Sequence, residues 1–150
     1  MDIDLILTIG HHLLVFSLVA IVAAEFAIIR LTLSASEIGV LSNLDRAYGV
    51  IAGLVIVIGF SRVYWGAKGP DYFLQNPVFH TKMAAFVLLG ILSIYPTVRI
   101  IAWRRSLKAN PAFSPLEREV IALRRYVIGE FLLVPVMLVC AAARVRGYGL

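Results

Sequence analysis

The sequence predicts an all-α, polytopic membrane protein folded as a four-helix bundle. Hydrophobic residues make up 61% of its 150 residues and charged residues only 15%. Four apolar segments of about twenty residues or more account for most of the chain, and an α-helix needs about that length to cross a bilayer. Little chain remains for a soluble domain. The core is therefore expected between the helices, and nucleic-acid binding is not expected despite the net charge of +5.

The first helix is predicted over residues 5–33. It carries His11 and His12 near one end, and Glu25 and Arg30 near the other. A charged side chain in a membrane span costs about 2.5–3.5 kcal/mol on insertion scales, and it usually faces the protein interior or a water-filled cavity. These four residues are therefore the first candidates for a site.

The second helix is predicted over residues 47–65, after a polar connection at residues 34–45. Asp45, at the end of that connection, is a candidate N-cap. Residues 66–77 are rich in Gly and Pro and predict a loop. The aromatic residues Tyr48 and Tyr64, with Trp65 and Trp103, are predicted to lie at the membrane interfaces.

The third helix is predicted over residues 78–103, and Pro96 is expected to kink it. The fourth helix is predicted over residues 116–143. Ser114 followed by Pro115 fits an N-cap and a first-turn proline. Together the four spans form a single transmembrane domain.

The distribution of basic residues predicts that both termini face outward. Four spans place both termini on one side, and cytoplasmic loops carry an excess of Lys and Arg. One side is flanked by nine basic residues: Arg30, Arg46, Arg99, Arg104, Arg105, Lys108, Arg118, Arg124 and Arg125. The other is flanked by five: Arg62, Lys68, Lys82, Arg144 and Arg146. The first and third connections are therefore predicted to be cytoplasmic.

This topology brings several basic and imidazole side chains to a similar depth on the outer side. They are His11, His12, Arg62, Lys68, His80 and Lys82. Haem b in a membrane bundle needs axial ligands from facing helices and basic groups for its propionates. The pattern allows one haem held by His80 and either His11 or His12. Adjacent helical residues lie about 100° apart, so only one of the two histidines in the first helix can face the bundle axis.

Other interpretations of this cluster stay open. The histidines can simply be interfacial or hydrogen-bonded within the bundle. A transition-metal site that includes His12 and His80 is a further alternative, although no C-x-x-C or H-x-x-x-H pattern supports it.

Glu25 and Glu130 are the predicted buried acids, and Asp45 is grouped with them, Arg30 and Arg99 as a residue expected to take part in buried charge pairing. The simpler interpretation pairs Glu25 with Arg30 or Arg99. The functional interpretation is a proton relay or a site for a substrate cation.

The chain resembles a family of small bacterial membrane proteins known as domain of unknown function 2214. The resemblance rests on Glu25, Asp45, Tyr48, Gly49, Gly59, Arg62, Lys68, Gly69, Asn76, Pro77, Phe79, Lys82, Ser93, Tyr95, Pro96 and Thr97. It covers nearly the whole chain and is most specific between Arg62 and Thr97. The family name implies no biochemical activity.

The chain is more distantly similar to HemJ-type protoporphyrinogen oxidases and CopD-like membrane proteins. Those are small helical membrane proteins with a histidine early in the first helix and a lysine that opens a later one. His12 and Lys82 would take these roles, which implies a haem or porphyrin site and electron transfer to a quinone. The HemJ-like run W-x-x-G-L-x-Y-L-P-R is replaced here by VAAEFAIIR, in which Arg30 alone matches.

The sequence thus favours a multi-pass protein of the bacterial inner membrane that binds haem b, or acts in redox chemistry with a quinone or porphyrin. The alternative is a non-enzymatic membrane protein, such as a small transporter subunit or an assembly factor. A homo-oligomer is expected for a transporter, because four spans are few for one.

Overall fold

The computed structural model describes residues 3–65 and 69–146, and this part of the chain forms five helices. They are α1 (Ile3–Ile28), α2 (Ala35–Trp65), α3 (Gly69–Leu74), α4 (Pro77–Ala109) and α5 (Glu117–Val145). All except the short α3 are long and apolar enough to cross a membrane. The predicted four-helix membrane bundle is thereby confirmed.

The four long helices form a ring in the order α1, α2, α4, α5, and each packs against its two neighbours. Their short connections make successive helices antiparallel. The basic end of the bundle carries the connections at residues 29–34 and 110–116, and the α3 end is opposite. Side chains such as Leu18, Ile38 and Ile100 fill the core. Large apolar side chains cover the outside, as in a protein surrounded by lipid.

The second helix starts well before its predicted boundary, because Ser34 and Glu37 form a capping box. The Glu37 carboxylate accepts hydrogen bonds of 2.7 Å from the backbone N–H and from the hydroxyl of Ser34. The Glu37 N–H in turn donates to the Ser34 hydroxyl at 3.3 Å. Such a box satisfies donors that a helix start leaves without partners. Asp45 therefore lies inside α2, and its predicted role as an N-cap is wrong.

The segment predicted as a loop at residues 66–77 contains α3 and a helix cap. Oδ1 of Asn76 accepts hydrogen bonds from the N–H groups of Val78 at 2.9 Å and Phe79 at 3.3 Å. Pro77 occupies the first helical position, where a missing N–H does no harm. Gly69 begins α3 with φ of 70°, a conformation that side-chain-bearing residues rarely adopt.

Helix α4 continues past Pro96 to Ala109, beyond its predicted end at residue 103. Helix α5 begins at Glu117 rather than after Ser114, since the N–H groups of Glu119 and Val120 both donate to the carbonyl of Leu116. The predicted N-cap at Ser114 is therefore wrong.

Two contacts join α4 and α5 at the basic end. Arg99 donates to Glu119 at 2.9 Å, and the indole N–H of Trp103 donates to the other oxygen of the same carboxylate at 3.2 Å. Trp103 and Tyr48 are both buried between the helices, so neither belongs to a lipid-facing aromatic belt. Tyr64 and Trp65 are exposed, as an interfacial belt requires.

The basic end of α1 is held by a side chain from α5. Nη1 of Arg124 donates a 3.0 Å hydrogen bond to the carbonyl of Ile29, just after α1 ends. The same guanidinium lies 4.9 Å from the centre of the Phe26 ring. Carbonyls at a helix end have no partner within the helix, and Arg124 satisfies one of them.

Candidate functional site

A cavity of about 170 Å³ lies between the four long helices toward the α3 end. Most of its lining is apolar, with Phe73 of α3 at one side. Its polar groups are His11 and His12 from α1, Tyr48 and Arg62 from α2, and Lys82 from α4. Apolar walls with a few convergent polar groups are typical of sites for small molecules.

His11 is the histidine that faces the bundle interior. Its side chain is 9% exposed, and its buried Nδ1 has no hydrogen-bond partner. Gly59 on α2 lies beside the ring, and a Cβ at that position would be in van der Waals contact with it, 3.6 Å from Cε1 of His11. Buried polar atoms are usually hydrogen-bonded, so a buried nitrogen without a partner in a cavity wall suggests a ligand.

His12 is exposed, although its ring also lines the cavity. Its Nδ1 donates to the carbonyl of Thr8 at 2.7 Å. The two imidazole rings stand edge to face, with centroids 6.2 Å apart. The helical phase of the sequence predicts that only one of these histidines faces the axis, and His11 is that residue.

Arg62 and Lys82 bring positive charge to the same cavity. Both lie close enough to His11 to act electrostatically on its imidazole. They come from α2 and α4, which pack against each other and line the cavity together with α1. Lys68, predicted to belong to this cluster, lies outside the described residues.

His80 does not join the cluster. It is exposed and outside the cavity lining, and its Nε2 lies 2.8 Å from the carbonyl of Leu74. Its place just after the Asn76 cap directs it toward the end of α3. The predicted pairing of His12 or His11 with His80 is therefore not formed. Among the described residues, no group of three or more His, Cys, Asp or Glu side chains could hold a metal ion.

A second polar site, the acid layer, lies closer to the basic end. Its carboxyl groups are Glu25 of α1, Asp45 of α2 and Glu130 of α5, which interact electrostatically with one another. Oγ1 of Thr97 on α4 donates to Asp45 at 2.6 Å. The layer lies about 15–20 Å along α2, α4 and α5 from their basic ends.

The predicted pairing of Glu25 with Arg30 or Arg99 is wrong. Arg99 pairs with Glu119 instead, and Arg30 is exposed at the basic end. Oε1 of Glu25 has no hydrogen-bond partner, and the charged groups that act on this carboxyl are Asp45 and Glu130. The buried acids therefore lie beside one another rather than beside arginines.

Tyr48 connects the two sites and was missed by sequence reasoning, which placed it at an interface. It is 6% exposed and lines the cavity, and its hydroxyl is within hydrogen-bonding reach of Ser93 on α4. The same hydroxyl interacts electrostatically with Glu130 and Glu25. Asp45 and Tyr48 are three residues apart, and residues with this spacing share one face of a helix. A prediction that started the helix at Ala35 would therefore have placed both on the same face.

Four apolar helices that are each long enough to cross a bilayer define a polytopic α-helical membrane protein. The chain belongs to the family described as predicted membrane proteins of domain of unknown function 2214 (DUF2214), whose sequence model matches residues 3–149. The resemblance to this family is therefore confirmed. No curated protein and no solved structure matches the chain.

Proposed function

We propose that the cavity binds haem b and that the protein takes part in electron transfer in the bacterial inner membrane. The observation that carries this proposal is His11, a buried imidazole in an apolar cavity whose Nδ1 has no hydrogen-bond partner. Haem iron is commonly held by histidine, and a bound haem b supplies one-electron transfer.

The other polar groups of the cavity suit the rest of the ligand. Haem has a flat apolar face and two negative propionates. The apolar walls match the face, and Arg62 and Lys82 supply positive charge for the propionates. The fit differs from the sequence-based prediction in one ligand, because His80 lies outside the cavity, whereas His11 was one of the two candidates in the first helix.

Absorption spectroscopy of the purified protein tests the proposal. We expect protein expressed with ample haem to show a Soret band and a pyridine haemochromogen that reports haem b. His11→Ala should abolish the band, whereas the matched variant His12→Ala, one residue along the same helix, should retain it. A colourless wild type, or a band that survives in His11→Ala, overturns the assignment.

Affinity measurements extend the test to the propionate partners. Arg62→Ala and Lys82→Ala should each weaken haem binding by about tenfold or more, because a hydrogen bond to a charged group contributes about 1.5–3 kcal/mol. Arg105→Ala, an exposed residue at the basic end, is the control and should bind haem like the wild type.

A quinone is the second candidate ligand. His11 and Tyr48 place an imidazole and a hydroxyl in one apolar cavity, and these are groups that hydrogen-bond to quinone carbonyls. Organic extraction of the purified protein followed by chromatography would detect it. Protein that carries neither haem nor quinone would leave the non-enzymatic alternative, a small transporter subunit or an assembly factor.

A further inference from the structure

The acid layer gathers oxygen-bearing side chains from all four membrane-spanning helices. These are Glu25 from α1, Asp45 and Tyr48 from α2, Ser93 and Thr97 from α4, and Glu130 from α5. Four helices rarely place polar groups at one level of an apolar bundle without a functional reason, because each such group makes insertion into the bilayer less favourable.

Two of the carboxyl groups are almost completely enclosed. Glu25 is 3% exposed and Glu130 is 2% exposed. Oε1 of each is buried and has no hydrogen-bond partner, whereas Asp45 accepts a hydrogen bond from Thr97. These two carboxyls thus have hydrogen-bonding capacity that the protein leaves unused.

The charged groups that act on the acids of the layer are other acids, so they supply no countercharge. Glu25 interacts electrostatically with Asp45 and Glu130, and Glu130 with Asp45, so each acid faces other acids. Arg99 pairs with Glu119, and Arg124 donates to the carbonyl of Ile29, so both of these arginines have partners outside the layer. An enclosed carboxylate without a countercharge is strongly disfavoured, so the layer requires a neutralising ligand.

A proton satisfies this requirement better than a metal ion. The described part of the chain has no cluster of three His, Cys, Asp or Glu residues suited to a metal. A proton needs only one carboxyl oxygen, and the resulting O–H can donate to a neighbouring acid. Carboxyl groups that share protons in this way are common in the proton paths of membrane proteins.

We propose that Glu25, Asp45 and Glu130 form a proton-binding site that exchanges protons with the cavity by way of Tyr48. Each transfer breaks an O–H bond on one oxygen and forms one on a neighbouring oxygen, so the charge of the layer changes only when a proton enters or leaves. Tyr48 is suited to this exchange, since it lines the cavity and its hydroxyl acts on the carboxyls. The site does not depend on the identity of the cavity ligand.

Infrared spectroscopy of the wild-type protein in lipid nanodiscs at neutral pH tests the proposal. Protonated carboxylic acids have a C=O stretching band that is separate from the carboxylate and amide bands and that shifts in D₂O. We expect this band in the wild type. Glu25→Gln and Glu130→Gln should each remove part of it, and the double variant should leave at most the part that Asp45 contributes. Glu119→Gln, at the carboxylate paired with Arg99, should leave the band unchanged.

Two further variants, Glu25→Asp and Tyr48→Phe, test the carboxyl assignment and the exchange route separately. If Glu25→Gln does not fold, Glu25→Asp should move the band instead of removing part of it. Tyr48→Phe should retain the band and slow its shift on transfer to D₂O, because the exchange route is lost. Absence of the band in folded wild type, or a band unaffected by both glutamine variants, overturns the proposal. His11→Ala should keep the band, so failure of the haem assignment leaves this result intact.

Discussion

Oγ1 of Thr97 on α4 donates a 2.6 Å hydrogen bond to Oδ1 of Asp45 on α2. The bond joins two neighbouring helices inside the acid layer. It also distinguishes Asp45 from Glu25 and Glu130, in which Oε1 has no partner. Asp45 is therefore the acid of the layer that a hydrogen bond holds in place, whereas Glu25 and Glu130 each keep a buried oxygen without a partner.

Loss of this hydrogen bond should destabilise the bundle. We expect Thr97→Val to lower the free energy of unfolding by about 1–3 kcal/mol, because the half-buried Asp45 carboxyl then loses its hydrogen-bond partner. Thermal unfolding in detergent measures the change. Thr81→Val on the same helix is the control, since the Thr81 hydroxyl is exposed and donates to the carbonyl of Pro77. Equal unfolding temperatures for the two variants would contradict the prediction.

Gly59 should be required for ligand binding in the cavity. A Cβ there would lie 3.6 Å from Cε1 of His11, and a larger side chain would fill the space beside the imidazole. We expect Gly59→Leu to abolish haem binding, measured as the Soret absorbance per protein. Gly53→Leu, on the same helix with nothing within 4 Å of its Cβ position, should bind haem normally. Normal haem content in Gly59→Leu would argue against a site beside His11.

Gly129 should be required for close packing of α4 against α5. A Cβ at this position would lie 3.3 Å from Cδ1 of Leu92, which leaves little room. We expect Gly129→Leu to destabilise the protein by about 1–3 kcal/mol, as overpacking of a well-packed interior does. Gly90→Leu on α4 meets no atom within 4 Å and is the matched control. Thermal unfolding of both variants provides the comparison, and an unchanged unfolding temperature for Gly129→Leu would contradict close packing of the two helices at this point.

The outward orientation of both termini stays a prediction that labelling can test. Cys140 is the single cysteine, so Cys140→Ala provides a background without thiols. In intact cells, a maleimide that does not cross membranes should label Gln75→Cys near the α3 end and not Thr32→Cys at the basic end. Both positions are exposed. The reverse labelling pattern would invert the orientation.

The number of membrane-spanning helices was predictable because apolar length alone defines a membrane span. The boundaries of the helices were less predictable. Residues 34–45 are polar enough to resemble a loop, yet the Ser-x-x-Glu pattern at Ser34 and Glu37 is a capping signature that the sequence displays. The prediction treated residues 34–45 as a connection because they are polar. A helical segment that extends beyond the membrane is also expected to be polar, so composition alone does not separate the two.

The site was only partly predictable for a related reason. Helical phase correctly restricted the axis-facing position to His11 or His12, and depth correctly brought Arg62 and Lys82 to the same level. The direction of His80 depends on α3 and on the Asn76 cap, and these local features are hard to infer from hydropathy. The partners of Glu25 depend on how four helices pack, which a single sequence does not specify.

The contacts of Arg124 hold two helices together at one end of the bundle. Its hydrogen bond to Ile29 and its contact with the Phe26 ring tie α1 to α5 at the basic end. The cavity lies toward the other end, so these contacts hold α1 against α5 on the side away from the ligand space. We expect entry of a ligand at the cavity end to leave them, and the basic end of the bundle, unchanged.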